Sequence, residues 1–554
     1  KGPKDGKGKP GEGPEKTGKQ DVKEVKIDFE GITHRIVALP VNAGNYHNLT
    51  GVENGLYYVA GSRNGGGLGF FDAKTKKCTT IGGGMGYELS ADGSKMLLRE
   101  RGGYKVVNTP KGPMGGGSGA SKDGGAGMSM PSPGGQGGNK VEGGLDLSQM
   151  KKWVNLQEEW TQILNEAWRQ ERDFFYAPNM HGVDWPAMRE KYGRLVPYCA
   201  DRYDLTYLIG EMIGEINIGH AYVGDGDRVK PERIQLGLLG AQIHRDKSGY
   251  FQIDKILKGE NWNEKTRSPL TEVGLNVKEG DYIVAIDGHS TKDMKDLYQA
   301  LVGKANTPVL LTINGKASDK GGRDVVVKPI ADENGLYYYN MVQDNIEKVS
   351  KATNGQVGYI HIPDMGVDGL NEFAKYFYPQ LDKKALIIDD RGNGGGNVSP
   401  MIIERLRREL SMYDMMRNCE PETKPTKMVL GPKVLLFNKY SASDGDLFPY
   451  QFKKHQIGTT IGTRSWGGVV GIRGSLPFID GGTLTRPEFA PFDENGNWVI
   501  EGYGVDPDIV IDNDPGHEFD GIDDQLNKAI EVILEQLKDY PEIPAIPAFP
   551  DKSK

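Results

Sequence analysis

Ala385-Leu-Ile-Ile-Asp-Asp390-Arg-Gly-Asn-Gly-Gly-Gly-Asn397 is an apolar run that ends in charge and then in glycine. A strand with no polar alternation is buried on both faces, as happens inside a parallel or mixed sheet. The glycines after it let the backbone turn sharply and present bare N–H groups to a ligand. The loop lacks the Gly-Lys-Ser/Thr ending of a nucleotide-binding loop, which argues against phosphate and leaves a plain turn as the simpler reading. The same rhythm repeats on either side. Val357-Gly-Tyr-Ile-His-Ile362 reads as a strand, 370–378 as a helix, 400–410 as a helix, Lys433-Val-Leu-Leu-Phe437 as a second buried strand and 445–454 as a helix. Alternation of this kind over 336–545 predicts an α/β layered domain.

Between that second strand and its helix lies Asn438-Lys-Tyr-Ser-Ala-Ser443-Asp-Gly-Asp446. A serine at a strand-to-helix junction has unpaired N–H groups and the positive helix end beside it. Those groups can hold a developing oxyanion; a plain N-cap serine would look the same. Two further stretches attract attention. His220 closes the run Glu215-Ile-Asn-Ile-Gly-His220, and Glu501 opens Glu501-Gly-Tyr-Gly-Val-Asp506-Pro-Asp508. Glu501 could orient a base, whereas the Asp-Pro-Asp turn reads as structural.

Working outward, residues 231–335 resemble a PDZ domain. Gly237-Leu-Leu-Gly240 opens it. Ser268-Pro-Leu and Gly274-Leu-Asn-Val-Lys-Glu-Gly-Asp-Tyr-Ile-Val-Ala-Ile-Asp-Gly-His289 follow, then a helix over 292–302 and a closing strand from Val309. Such domains take peptide ends as an added strand; a spacer with a blocked groove is the other reading. Residues 146–230 read as helices, with Trp153, Leu156, Trp160, Ile163, Leu164 and Trp168 forming a core face at spacings of three and four.

Residues 26–110 carry short alternating runs such as Gly55-Leu-Tyr-Tyr-Val-Ala60, separated by tight turns such as Ala91-Asp-Gly-Ser94. They predict partial β-propeller blades, since a closed propeller needs about four or more. The expected boundaries are 1–25 disordered linker, 26–110 terminal blades, 111–145 Gly-rich linker, 146–230 helical domain, 231–335 PDZ domain and 336–554 catalytic domain.

Composition bounds the chemistry. The chain has 554 residues, enough for several domains, and its 37% apolar fraction with 78 glycines suits globular units on Gly-rich connectors. Net charge is -8 with both signs mixed, so no basic stripe invites nucleic acid. Three dispersed cysteines form neither a disulfide framework nor a metal pair, and scattered histidines give no ligand pattern, so no cofactor is expected. No apolar run approaches the roughly 20 residues of a membrane helix. The chain begins at Lys1 rather than Met and is read as a processed or truncated piece.

Taken together, the helical part, the PDZ run, the triple-glycine loop, Ser441-Ala-Ser-Asp-Gly-Asp446, Thr463-Arg-Ser-Trp-Gly-Gly468 and Gly502-Tyr-Gly-Val-Asp-Pro-Asp508 resemble the tricorn proteases, a branch of the tail-specific serine peptidases. The likeness runs over about 26–512 and includes what looks like the end of the family's second propeller. It implies a multidomain α/β protein with a ClpP/crotonase-like catalytic core. It also implies Ser443 as nucleophile, His220 as general base, Glu501 as the orienting carboxylate, and the amides of Gly396 and Asp444 as oxyanion hole. Asp414 falls where the family carries an aspartate that reaches a neighbouring subunit's site and selects a basic P1 side chain. The resemblance further implies trimming of short unfolded peptides without a cofactor, a toroidal homo-hexamer, and a cytoplasmic setting, with export as the other possibility. Two departures stand out. Gly219 replaces the family's bridging serine, which puts the coupling of Glu501 to His220 in question. Gly468 stands where a Ser-Lys branch has its lysine, so a Ser-His enzyme is expected. The competing reading is a non-catalytic peptide-binding scaffold.

Overall fold

The computed structural model describes residues 28–32, 36, 38–41, 43–61, 67–82, 86–100, 103–110, 144–147, 149–474, 476–540 and 544–553. The expected linker at 1–25, and nearly all of the one at 111–145, lie outside the described residues. The chain forms two units, Lys1–Trp153 and Val154–Lys554.

The first unit is antiparallel. Strands β1 (Asn45–Val52), β2 (Gly55–Gly61), β3 (Leu68–Asp72) and β4 (Lys77–Gly82) form a meander in sequence order, and β5 (Gly86–Leu89), β6 (Lys95–Glu100) and β7 (Gly103–Asn108) form a three-stranded sheet. Alternate residues of both sheets, among them Tyr57, Phe70, Tyr87, Met96 and Leu98, build one core. The turn at Ala91-Asp-Gly-Ser94 is closed by Asp92, whose side chain accepts from Ser90 and Ser94.

The second unit begins with three helices, α1 (Leu156–Phe174), α2 (Trp185–Gly193) and α3 (Arg202–Gly214). Trp160, Ile163, Leu164, Ala167 and Trp168 form the buried stripe of α1, and the indoles of Trp168 and Trp185 donate to each other's backbone carbonyl at 2.8 and 3.0 Å. Trp153 departs from the expected core face: it precedes the helix and is fully exposed. A short strand β8 (Val223–Gly224) follows.

The PDZ-like region is an antiparallel sheet of β9 (Ala241–Arg245), β10 (Phe251–Ile256), β11 (Tyr282–Ile286), β12 (His289–Ser290), β13 (Val309–Asn314) and β14 (Arg323–Val327), with β9 at an edge. The helix expected over 292–302 is instead two 3-10 segments, Thr291–Asp293 and Leu297–Leu301. Each is started by a side chain that captures a backbone amide, Ser290 on Lys292 and Asp296 on Tyr298, which breaks the run in two.

The remainder is a five-stranded parallel sheet, β15 (Val357–His361), β16 (Ala385–Asp389), β19 (Lys433–Phe437), β20 (Thr459–Gly462) and β22 (Ile509–Val510), in sequence order. Two small pairs complete the strands: β17 (Met412–Asp414) with β18 (Glu422–Lys424), and β21 (Thr483–Leu484) with β8. Ile360, Leu386, Ile388, Leu435 and Phe437 face one core shared with α5 (Val367–Phe377), α6 (Ser399–Leu406) and α7 (Asp444–Lys454). Tyr359, Ile387, Val434 and Leu436 face the other, shared with α4 (Asn334–Ala352) and α9 (Asp524–Lys538); α8 (Pro515–Phe519) precedes α9. With both faces covered, the loops at the carboxyl ends of the strands are where a ligand can reach the sheet.

Candidate active site

Two of those loops meet. The loop after β16 is pinned by Asn393, whose side chain is fully buried. Its amide donates to the Ile362 carbonyl and to Asp390, its Oδ1 accepts from Gly395, and its carbonyl accepts from the Ala442 amide at 2.8 Å. That last bond draws the glycine loop against the serine loop. The approach is close enough that a Cβ on Gly395 would fall 2.5 Å from that of Ser443, and one on Gly396 would strike the Met365 backbone at 2.0 Å. Glycine is required at both.

Ser443 precedes α7 with φ 58° and ψ -119°, in the left-handed half of the map that non-glycine residues avoid. Asp446 holds it there. Its buried carboxylate accepts from the amides of Ser443 (2.8 Å), Gly467 (2.7 Å) and Gly468 (3.3 Å), tying the serine to the loop that carries Trp466. Asp444 turns away from the serine and accepts from the Ser399 amide and hydroxyl at the start of α6. Among the described residues the N–H groups of Gly396 and Asp444 donate to no other protein group, which leaves both open to a ligand oxygen.

His220 comes from the helical part of the same unit. Its carbonyl accepts from Thr485 Oγ1 at 2.7 Å, and that oxygen also accepts from the Tyr222 amide, which fixes the His220 backbone at φ 60°. The ring lies edge-on to Trp466, with centroids 5.7 Å apart, and 6.1 Å from Tyr222. Burial among these groups lowers the imidazole pKa, and the nearby charge of Glu501 opposes the shift. Ser443, His220, Tyr222, Gly394 to Gly396, Lys439, Tyr440 and Trp466 line one cavity of about 600 Å³.

Glu501 does not reach the imidazole. Its Oε1 accepts from the Gly219 amide at 3.1 Å, and its Oε2 accepts from the amides of Val469 (2.6 Å) and Val470 (3.0 Å). A Cβ at 219 would sit 3.1 Å from Oε1, so the missing side chain lets the carboxylate bond the backbone directly. His220 Nδ1 is buried and has no hydrogen-bond partner among the described residues. Asp414 is elsewhere: on β17 it pairs with Lys424 of β18 at 2.5 Å and does not line the cavity.

Sequence reading passed over Asp446 and Thr485. Asp446 had a local signal, because Ser443-x-x-Asp446 has the spacing of a capping box. Thr485 had none, being 265 residues from His220. Among the described residues no group of three or more His, Cys, Asp or Glu could hold a metal, and no helix is long and apolar enough to cross a membrane.

Comparison with known proteins gives three matched regions: the tricorn protease C1 domain over 156–214, the tricorn protease PDZ domain over 237–332 and peptidase family S41 over 356–511. The tricorn protease of Thermoplasma volcanium is 33% identical over 94% of this chain and 49% of its own length. Tricorn protease homolog 1 of Streptomyces coelicolor is 32% identical over 93% of this chain and 48% of its own. A crystal structure of the tricorn protease superposes with a TM-score of 0.77 at 30% identity, covering 90% of this chain and 47% of that one. The chain thus spans about half the length of these relatives, with a mixed α/β fold that includes the PDZ and S41 domains.

Proposed function

From the premise that this chain belongs to the tricorn proteases of peptidase family S41, we propose that it is a serine peptidase that trims short unfolded peptides, with Ser443 as nucleophile and His220 as base. The observation that carries the reading is the junction at Ser443. A strained serine at a helix start faces the same cavity as a half-buried histidine, beside two amides with no other partner among the described residues.

In this mechanism Nε2 of His220 takes the hydroxyl proton as Ser443 Oγ attacks the peptide carbonyl. The amides of Gly396 and Asp444 hold the oxyanion. The imidazolium returns its proton to the leaving amine as the C–N bond breaks, and water, deprotonated by the same nitrogen, releases the acyl group. Glu501 acts on His220 through the Gly219 backbone and through its charge. No step calls for a cofactor.

Several finer assignments belong to the same proposal. The four-stranded meander and the three-stranded sheet of the first unit are propeller blades, and the parallel sheet is a ClpP/crotonase-like core. The domain limits follow the sequence reading, the working assembly is a cytoplasmic homo-hexamer, and Asp414 from a neighbouring copy selects a basic P1 side chain.

The test is hydrolysis of fluorogenic short peptides carrying Arg, Lys, Leu or Asp at P1, beside Ser443→Ala. Cleavage that vanishes in the variant is expected. An assembled wild-type protein that cleaves none of them, and takes up no active-site serine reagent, would move the reading to a non-catalytic peptide-binding scaffold.

A further inference from the structure

Gly240, buried and at φ 70°, ends the Gly237-Leu-Leu-Gly240 loop at the start of β9, the edge strand. A loop of this shape captures the carboxylate of a peptide C-terminus while the edge strand takes up its backbone. Here the amide already has a carboxylate. Gly240 N–H donates to Oε1 of Glu333 at 2.7 Å; burial raises the pKa of that carboxyl group above its ordinary value, and the Gly240 and Ala241 amides oppose the shift. Glu333 arrives from 93 residues away, as the N-cap of α4. The approach is enforced by a short antiparallel bridge in which Leu238 and Ile330 exchange bonds of 2.7 and 2.9 Å. One turn into α4, Leu336 is buried with Leu257 and Ile330, its Cδ1 3.1 Å from where a Cβ on Gly240 would stand. A peptide's last residue would bring such a loop a carboxylate and an apolar side chain. Glu333 and Leu336 bring both from within the chain.

We propose that Glu333 occupies the terminal-carboxylate site of the PDZ domain, closing it to free peptide C-termini and fastening the domain to α4. An intramolecular ligand acts at an effective concentration in the millimolar range, so a segment whose own dissociation constant for the site is about 0.1 mM or tighter weakens a competing peptide by at least about tenfold. The PDZ loop is then a joint between domains, and α4 carries that joint to β15, against which it packs.

The experiment measures binding of a fluorescent decapeptide ending in leucine, as free acid and as amide, to the full chain carrying Ser443→Ala. With Glu333 present, the acid and the amide are expected to bind alike. With Glu333→Ala added, the acid is expected to bind at least tenfold tighter than the amide. A preference for the acid while Glu333 is present overturns the proposal, as does no preference once it is removed. Should Glu333→Ala fail to fold, hydrogen exchange on the Glu333 chain decides. Gly240 and Ala241 amides whose exchange is unchanged by saturating acid peptide support the closed site, and added protection there overturns it. Neither readout depends on peptide hydrolysis.

Discussion

Ser443 is held at φ 58°, a conformation that costs a non-glycine residue on the order of 1–3 kcal/mol, so its surroundings must over-determine it. Asp446 does this, and its removal has a calculable consequence. Asp446→Ala leaves the buried amides of Ser443, Gly467 and Gly468 unpaired, which is expected to lower unfolding free energy by about 3 kcal/mol. The same change frees Trp466 and the serine, so kcat is expected to fall at least tenfold in the folded fraction; urea melts and kinetics at low temperature separate the two effects. At His220 the sign of the pH dependence is set by burial. A general base must be neutral, and burial lowers its pKa below the ordinary imidazole value of about 6.5, so the acidic limb of kcat/KM should lie below that pH. Glu501 supplies the one raising influence. Glu501→Gln should therefore move the limb to still lower pH, and a limb that moves upward would show that the charge does not act on the ring. The two strand-to-helix turns that carry the glycine loop and Ser443 were legible in consecutive residues, while the assignment of the Gly396 and Asp444 amides came from the family resemblance. The contacts of His220 with Trp466 and Thr485 were not legible, since they join segments about 250 residues apart that only the tertiary fold brings together.

At the scale of elements, α1 shows what amphipathic spacing can and cannot convey. Its buried stripe was readable from Trp160 to Trp168, yet Glu171 continues that stripe as a titratable residue, fully buried, with neither side-chain oxygen hydrogen-bonded among the described residues. Burial raises its pKa to about 8, with Arg486 opposing the shift and Glu488 adding to it. The folded chain therefore keeps a proton that the unfolded chain loses above about pH 4.5. Stability is full below that pH and declines as pH rises toward 8. Glu171→Gln is expected to flatten this slope and raise the melting temperature at pH 8 while changing little at pH 5, which thermal scans at the two pH values would read. The 292–302 segment fails in the opposite way. Its apolar spacing suited an α-helix, but Ser290 and Asp296 each offered the backbone a competing local bond, and such side-chain competition is not visible in periodicity. Of the parallel strands, β15, β16 and β19 were legible as apolar runs buried on both faces, whereas β20, which begins with Thr459 and Thr460, and the two-residue β22 carry no such run.

At the scale of the whole molecule, one chain alone lacks something that its proposed specificity needs. The charged side chain lining the cavity at Ser443 is Lys439, whose ammonium has no carboxylate within 4 Å among the described residues and rests 5.5 Å from the Tyr440 ring. Such a pocket repels an arginine or lysine side chain. Asp414 sits on its own hairpin, about half exposed and paired with Lys424. On the proposed reading a basic P1 preference arises when another copy inserts Asp414 into this cavity, at the expense of the Lys424 contact. Specificity should follow assembly. Diluted to monomer, the protein is expected to cleave leucine and arginine substrates at comparable rates; at concentrations where light scattering reports the oligomer, the arginine-to-leucine ratio of kcat/KM should rise at least tenfold. Asp414→Asn should abolish that rise without preventing assembly, and Lys424→Gln, which frees the carboxylate, should enlarge it. A basic preference that persists in the monomer would place the selecting carboxylate within the chain and remove Asp414 from the site.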